Sequence, residues 1–381
     1  MLRKICVSTG LVISLIFSPF VLAKDVSNLN QIMSKIAQQM TVIYPLITAK
    51  HKLSKQDSQI LKEKTGLLLE LFTQAKPYIN QRSDTYQVSY DLVLQHLKKT
   101  KQSFERSSNQ YARKRLHSLG TICISCHTQD TQLRSTFGGA GRNAFDSDFA
   151  FAEFSFMTRN YNDATKYYDK FLRSTELKSE LDIIKPLQRL VTIHTQIFDS
   201  PGVAAKQLSE YRNLAAHTKK TSEHLDGWIQ GLKSLRKQHV KSTGNMTFSK
   251  LESYVKRYIG DTDQAGAEFF ASPQDEVSRV WLRGVLFHYL NTNPPKDEIP
   301  KILYWLSICD RTLGYSFNFS FADLYLKECI IGHATHPYAK RCYREFEEFV
   351  SVSYSGSGGT FIPPELEDEL FELKQHLKES N

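Results

Sequence analysis

The stretch Cys123-Ile-Ser-Cys126-His127 constrains this 381-residue chain more than any other. A Cys-x-x-Cys-His run is the attachment signature for c-type haem: two thiols add across the porphyrin vinyl groups, and the adjacent imidazole reaches the iron as proximal ligand. On a helix, Cys123 and His127 stand one above the other on the same face. The fold must then supply an apolar space beside that face. The competing reading is a thioredoxin-like redox Cys-x-x-Cys whose next residue happens to be His. It requires a βαβ setting, and nothing near residue 123 alternates like a strand.

The amino terminus agrees with covalent haem, which is attached outside the cytoplasm. Arg3 and Lys4 precede the apolar run Ile5 to Leu22, and Val21-Leu22-Ala23 is an acceptable small-residue cleavage site. Residues 1–23 thus read as a secretory signal peptide rather than a membrane span. Cys6 lies within it, without a lipoprotein-type Leu-x-x-Cys at its end. No later run is long and apolar enough to cross a bilayer, so the expected location is the periplasm.

After cleavage 358 residues remain, enough for two or three domains. Residues 24–133 carry 16 Lys/Arg against 8 Asp/Glu, a net of +8, whereas residues 134–381 sum to −1. A basic field of this kind would steer an acidic protein redox partner, with an effect that weakens in salt. A solvated helix face that also compensates two haem propionates explains it equally well. No nucleic-acid-binding motif is present.

Residues 24–133 read as four helices. The first, Asn28 to Ala49, carries Met33, Ile36, Met40, Ile43 and Ile47 at three- and four-residue steps. The second starts near Ser54, where Ser-Lys-Gln-Asp57 has the form of a capping box, and runs towards Pro77. The third follows Ser83-Asp84 with Tyr90, Val93, Leu94 and Leu97. The fourth begins near Ser107 and carries Tyr111, Leu116 and Leu119 into the haem motif. Short connections favour antiparallel neighbours.

Four such helices with Leu116-His-Ser-Leu119-Gly120-Thr-Ile-Cys123-Ile-Ser-Cys126-His127 in the last resemble the cytochrome c-prime family. The resemblance covers about residues 25–133. It implies a haem held inside the bundle with its distal side covered by the first helix, where low-spin relatives place a Met ligand. Met33, followed by apolar residues at three, seven and ten, fits that place, with Met40 as second choice; plain core filling is the alternative for both. The resemblance also admits a homodimer through the bundle. Thr128-Gln129-Asp130 departs from the aromatic and Arg that usually follow the family's motif. His51, His96 and His117 read as surface or satisfied polar residues.

Phe137-Gly138-Gly139-Ala140-Gly141-Arg142-Asn143 is the linker candidate, within a boundary region at 134–148. Beyond it, Tyr161-Asn-Asp-Ala164-Thr-Lys-Tyr167-Tyr168-Asp-Lys-Phe171-Leu172 resembles the second helix of a tetratricopeptide repeat. Phe149 to Thr158 supplies the first helix and Asn160 the turn. A second pair is expected around Leu187 to Tyr211, broken at Pro201-Gly202, and further helices at Val277–Leu290, Ile299–Leu313, Phe321–Ile331 and Ala339–Val352. The expected fold is all-α: an antiparallel four-helix haem bundle, then an α-helical tetratricopeptide-like array over 149–381, subdivided near 240.

Cys309, Cys329 and Cys342 leave one disulfide and one thiol in an oxidising compartment. Cys329 with Cys342, across a turn holding Gly332 and Pro337, is the preferred pairing, and Cys309 with Cys329 the alternative. Ser355-Gly-Ser-Gly-Gly359-Thr lacks the Gly-Lys-Ser/Thr ending of a phosphate loop and reads as a flexible loop before a final acidic helix. His333 and His336 bracket a turn as surface polar residues. No paired carboxylates, nucleophile elbow or zinc-ligand set is recognisable, so turnover chemistry is not expected. The functional expectation is a periplasmic monohaem c-type electron carrier whose helical array docks a partner. The alternatives are a five-coordinate haem protein that binds or senses gas, and a scaffold with accessory haem.

Overall fold

A computed structural model describes residues 20–49, 52–80, 84–129, 141–174, 179–214, 218–237, 246–260, 271–317 and 320–380. Among them the chain is all-α, with one two-stranded hairpin. Most of the predicted signal peptide, and His51, lie outside the described residues. No described helix is long and apolar enough to cross a membrane.

Helices α1 (Phe20–Thr48), α2 (Lys55–Ile79), α3 (Asp84–Glu105) and α4 (Asn109–His127) form a closed ring, each packed on the next and α4 on α1. Local chemistry fixes the ends. Ser54 accepts from the Asp57 N–H at 3.0 Å while the Asp57 carboxylate accepts from the Ser54 N–H at 3.0 Å, a reciprocal cap on α2. The α3–α4 turn uses Ser107 at φ 60°. Inside the ring, Met40, Ile43, Leu61, Leu68, Leu97, Leu116 and Leu119 are buried. A side chain at Gly120 would place its Cβ 3.0 Å from the Tyr44 ring, so the missing methyl lets α4 and α1 approach. Tyr111, expected on the apolar stripe of α4, is 57% exposed; its ring instead carries Arg115 at 5.9 Å.

Residues 130–140, which include most of the linker candidate, lie outside the described residues. Chain resumes in a 3-10 turn, Arg142–Ala144, closed by an ion pair between Arg142 and Asp148. Phe145 is then buried, with ring centroids 5.1 Å from Phe154 and 6.4 Å from Tyr44. α5 (Asp148–Met157) is buried from Ala150 to Met157, its aromatic and small residues enclosing the carboxylate of Glu153. It packs on α4 and α1 on one side and on α6 (Tyr161–Arg173) on the other.

The rest adds further helices: α7 (Glu180–Thr192) ending in a π-turn, α8 (Pro201–Leu214), α9 (Lys219–Lys237), α10 (Phe248–Tyr258), α11 (Pro273–Leu290), α12 (Ile299–Phe317), α13 (Ala322–Gly332), α14 (Pro337–Ser353) and α15 (Pro364–Glu379), with α9 and α10 both packed on α11. α12 returns to α7 and α13 to α3, so these two helices touch more than their sequence neighbours. A disulfide joins Cys329 to Cys342, and Cys309 is a buried free thiol. The glycine-rich stretch expected as a loop is a hairpin, β1 (Ser355–Gly356) with β2 (Gly359–Thr360), turned by Gly359 at φ 109°.

Candidate functional site

All four bundle helices and the α5–α6 turn open onto one chamber of about 100 Å³. α1 contributes Leu29, Asn30, Met33, Ile36, Ala37 and Met40; α2, Phe72 and Ile79; α3, Tyr86, Ser89, Tyr90 and Val93. Cys123, Cys126 and His127 face it from α4, and Met157, Thr158 and Arg159 from the turn. The spacings explain the convergence. Met33, Ile36 and Met40, Tyr86, Tyr90 and Val93, and Cys123 and His127 each recur at three, four or seven residues, so each set occupies a single helix face. Helical proteins of this size pack their interiors with few voids larger than a water molecule. A chamber larger than such voids, lined mainly by apolar side chains and by the Cys-x-x-Cys-His face, is the candidate ligand site.

His127 is oriented from outside the bundle. Its Nδ1 lies 2.5 Å from the Met157 carbonyl oxygen, which only an N–H can satisfy. The neutral imidazole therefore carries its proton on Nδ1 and its lone pair on Nε2, the division of labour of a ligating histidine held by a carbonyl. Burial, with the Arg159 charge adding to it, pushes the imidazole down to about 3, the Met157 carbonyl offsetting part of this. The ring is thus uncharged at neutral pH, as iron ligation requires.

The two thiols are as informative. Burial, with Cys126 adjacent, pushes Cys123 up to about 12, and burial pushes Cys126 up to about 11 against the pull of Arg159 and Arg283. Disulfide oxidoreductases need the opposite, a thiol pushed towards its thiolate. The motif also sits on a bundle helix and not in a βαβ unit. Both observations weigh against the redox Cys-x-x-Cys reading. Among the described residues no group of three or more His, Cys, Asp or Glu is arranged to hold a metal ion.

Met33 and Met40 both line the chamber; Met40 is buried and Met33 half-buried. His96 and His117 do not enter it. His96 is bonded through Nε2 to the Arg115 carbonyl at 2.6 Å, and His117 is exposed. His336 caps α14, its Nδ1 accepting from the Tyr338 N–H at 3.2 Å. The wall from Met157 to Arg159 has no local signal in the sequence, because it joins the site across 30 residues of chain.

Thr128 and Gln129 are buried: the Thr128 side chain and the Gln129 carbonyl meet the second half, and the Gln129 side chain turns back to α3. Arg283 donates to Thr128 and Asn291 donates to the Gln129 carbonyl at 2.9 Å, while Gln129 Nε2 donates to Ser89 at 2.8 Å. No family model, curated protein or solved structure matches the chain.

Proposed function

We propose that the chain is a monohaem c-type cytochrome that carries electrons in the periplasm. Cys123 and Cys126 would hold the porphyrin by thioether bonds and His127 Nε2 would ligate the iron, with Met33, or Met40 behind it, as the opposite ligand. The observation that carries this reading is the convergence of the Cys-x-x-Cys-His face, with His127 Nδ1 already committed to a carbonyl, on an apolar chamber that two methionines line. The bundle arrangement and that chamber also support the likeness to the cytochrome c-prime family.

A bound haem supplies one-electron chemistry at its iron. The protein's part is to fix and shield. The half-buried thiols face the chamber, where thioether bonds would fix the porphyrin against its apolar wall. The Met157 carbonyl holds the imidazole plane, and the apolar walls exclude water and so favour the less charged, reduced state. The net +8 of residues 24–133 would draw an acidic redox partner, with the helical second half available to dock it.

The test is the absorption spectrum of full-length protein matured alongside haem-ligation machinery. The expected product is coloured and keeps its haem in acidified organic solvent, with a low-spin reduced spectrum. Colourless protein, or haem that extracts, overturns the reading. A high-spin ferric iron that binds carbon monoxide when reduced would transfer the assignment to gas sensing.

A further inference from the structure

The three most exposed large apolar side chains among the described residues are Phe361 at 84%, Phe371 at 62% and Tyr111 at 57%. Rings left in water forgo burial, and exposed aromatic side chains are enriched where one protein seats on another. Their surroundings carry opposite charge. α15, which bears Phe371 and directly follows the Phe361 segment, holds six carboxylates against two lysines, a net of −4. Asp368 and Glu372, beside Phe371 on the helix, are exposed and form no ion pair among the described residues, whereas Glu369 is already paired with Lys327 of α13 at 2.6 Å. Tyr111 stands in the opposite field. It lines a surface groove between the α1–α2 loop and the α3–α4 turn, whose charged lining is Lys52 and Lys55, without a carboxylate. Both lysines are exposed and form no ion pair among the described residues, and Arg115 stands over the Tyr111 ring at 5.9 Å. α4 starts at this groove and ends at His127, so the groove and the Cys-x-x-Cys-His face occupy opposite ends of that helix.

Neither surface can pair with its own kind: α15 against α15 opposes carboxylates, and groove against groove opposes lysines. Against each other they complement in charge, and each offers an exposed ring. We propose that α15 of one molecule docks on the Lys52–Lys55–Tyr111 groove of a second copy, with Phe371 supplying the apolar contact. Exchanged reciprocally, the contact closes two copies into a dimer; unreciprocated, it grows into chains. Either way association is driven by charge and weakens in salt. It engages neither the chamber nor His127, so it stands apart from the reading of the site as a haem pocket.

The experiment follows the full-length protein by sedimentation velocity over a concentration series, in low salt and in about 1 M salt, where screening cuts the reach of charge to about 3 Å. Wild type is expected to sediment above the monomer in low salt and to return to monomer in high salt. Lys52→Glu with Lys55→Glu, and separately Asp368→Lys with Glu372→Lys, should each stay monomeric in both, with circular dichroism confirming the fold. Mixing the two reversed proteins is the decisive arm: the acidic groove of one then meets the basic α15 of the other, and the assembly should return. Phe371→Ser should lose the assembly without changing charge, and it carries the test should a reversal misfold. Wild type that is monomeric in low salt, an oligomer indifferent to both reversals and to Phe371→Ser, or folded reversed proteins that stay apart when mixed would overturn the docking.

Discussion

Arg283 of α11 donates from Nη1 to Oγ1 of Thr128, 3.3 Å away and 155 residues earlier in the chain. The same guanidinium donates from Nε to Asp310 at 2.6 Å and lies over the Phe287 ring at 4.6 Å. Thr128 directly follows His127, so the end of the Cys-x-x-Cys-His helix is seated on the second half of the molecule. Both partners are fully buried, and a donor stranded there costs more than the bond itself contributes.

Replacing Thr128 with Val keeps the shape and removes the acceptor. Thr128→Val should lower stability by about 1–3 kcal/mol, measured by urea unfolding of the full chain. An unchanged midpoint would show that Arg283 Nη1 is satisfied some other way.

Met33→Ala should convert the reduced holoprotein from low spin to high spin, whereas Met40→Ala should leave the spin state and loosen the core. Methionine-to-alanine truncation of a buried site costs about 2–5 kcal/mol, and Met40 is 2% exposed. The reverse pattern in the absorption spectra would make Met40 the ligand. No change in either would leave the distal position without a methionine.

Glu153 ties α5 to α6 and α7 electrostatically. Burial alone would raise its carboxyl, but Arg189 at 2.9 Å and Lys185 at 3.2 Å reverse this and hold it well below the usual carboxylate range. Tyr168 also donates to it at 2.6 Å. Glu153→Gln leaves Arg189 buried without its counter-charge, at a cost of about 3–5 kcal/mol. Because the folded value is depressed, this contribution is complete above the ordinary glutamate range, roughly pH 4.3, and is lost as pH falls towards the folded value. The stability gap between wild type and Glu153→Gln should therefore narrow below about pH 5. A gap that stays constant from pH 7 to 3 would refute the ion pair as its source.

The Cys329–Cys342 bridge spans a sequence separation of 13. A closed loop of this length restricts the unfolded chain by about 3 kcal/mol in the entropy model. Reduction, or the double Cys329→Ala and Cys342→Ala exchange, should lower the thermal midpoint, and the double variant should be indifferent to reductant. A wild type equally indifferent would mean the bridge does not form.

The parts of this structure legible in the sequence are those written locally. Ser54 and Asp57 announce the α2 cap, Asn160 the α5–α6 turn, and Met33, Ile36 and Met40 the inward face of α1, because each depends on residues within two helical turns. Tyr111 misleads for the complementary reason: its position on α4 fits the stripe, but the ring's surroundings are set by Arg115 and the packing of other helices. Ser355 to Thr360 reads as irregular from its glycines, whereas Tyr354 and Phe361 close a hairpin through their backbones at 2.9 Å. Nothing near Cys123 signals that Met157 and Arg159 complete its chamber. Such long-range closure depends on how the second half docks, which no periodicity encodes.

That closure sets an order on biogenesis. A nascent chain that has emerged only as far as the Cys-x-x-Cys-His helix owns every rod of the bundle and still has an open flank. Only when residues 157–159 arrive does the last wall exist, and with it the carbonyl that fixes the imidazole. Attachment machinery meeting the chain before that moment would find the thiols exposed along one flank, and afterwards would reach them half-buried, through the chamber mouth alone.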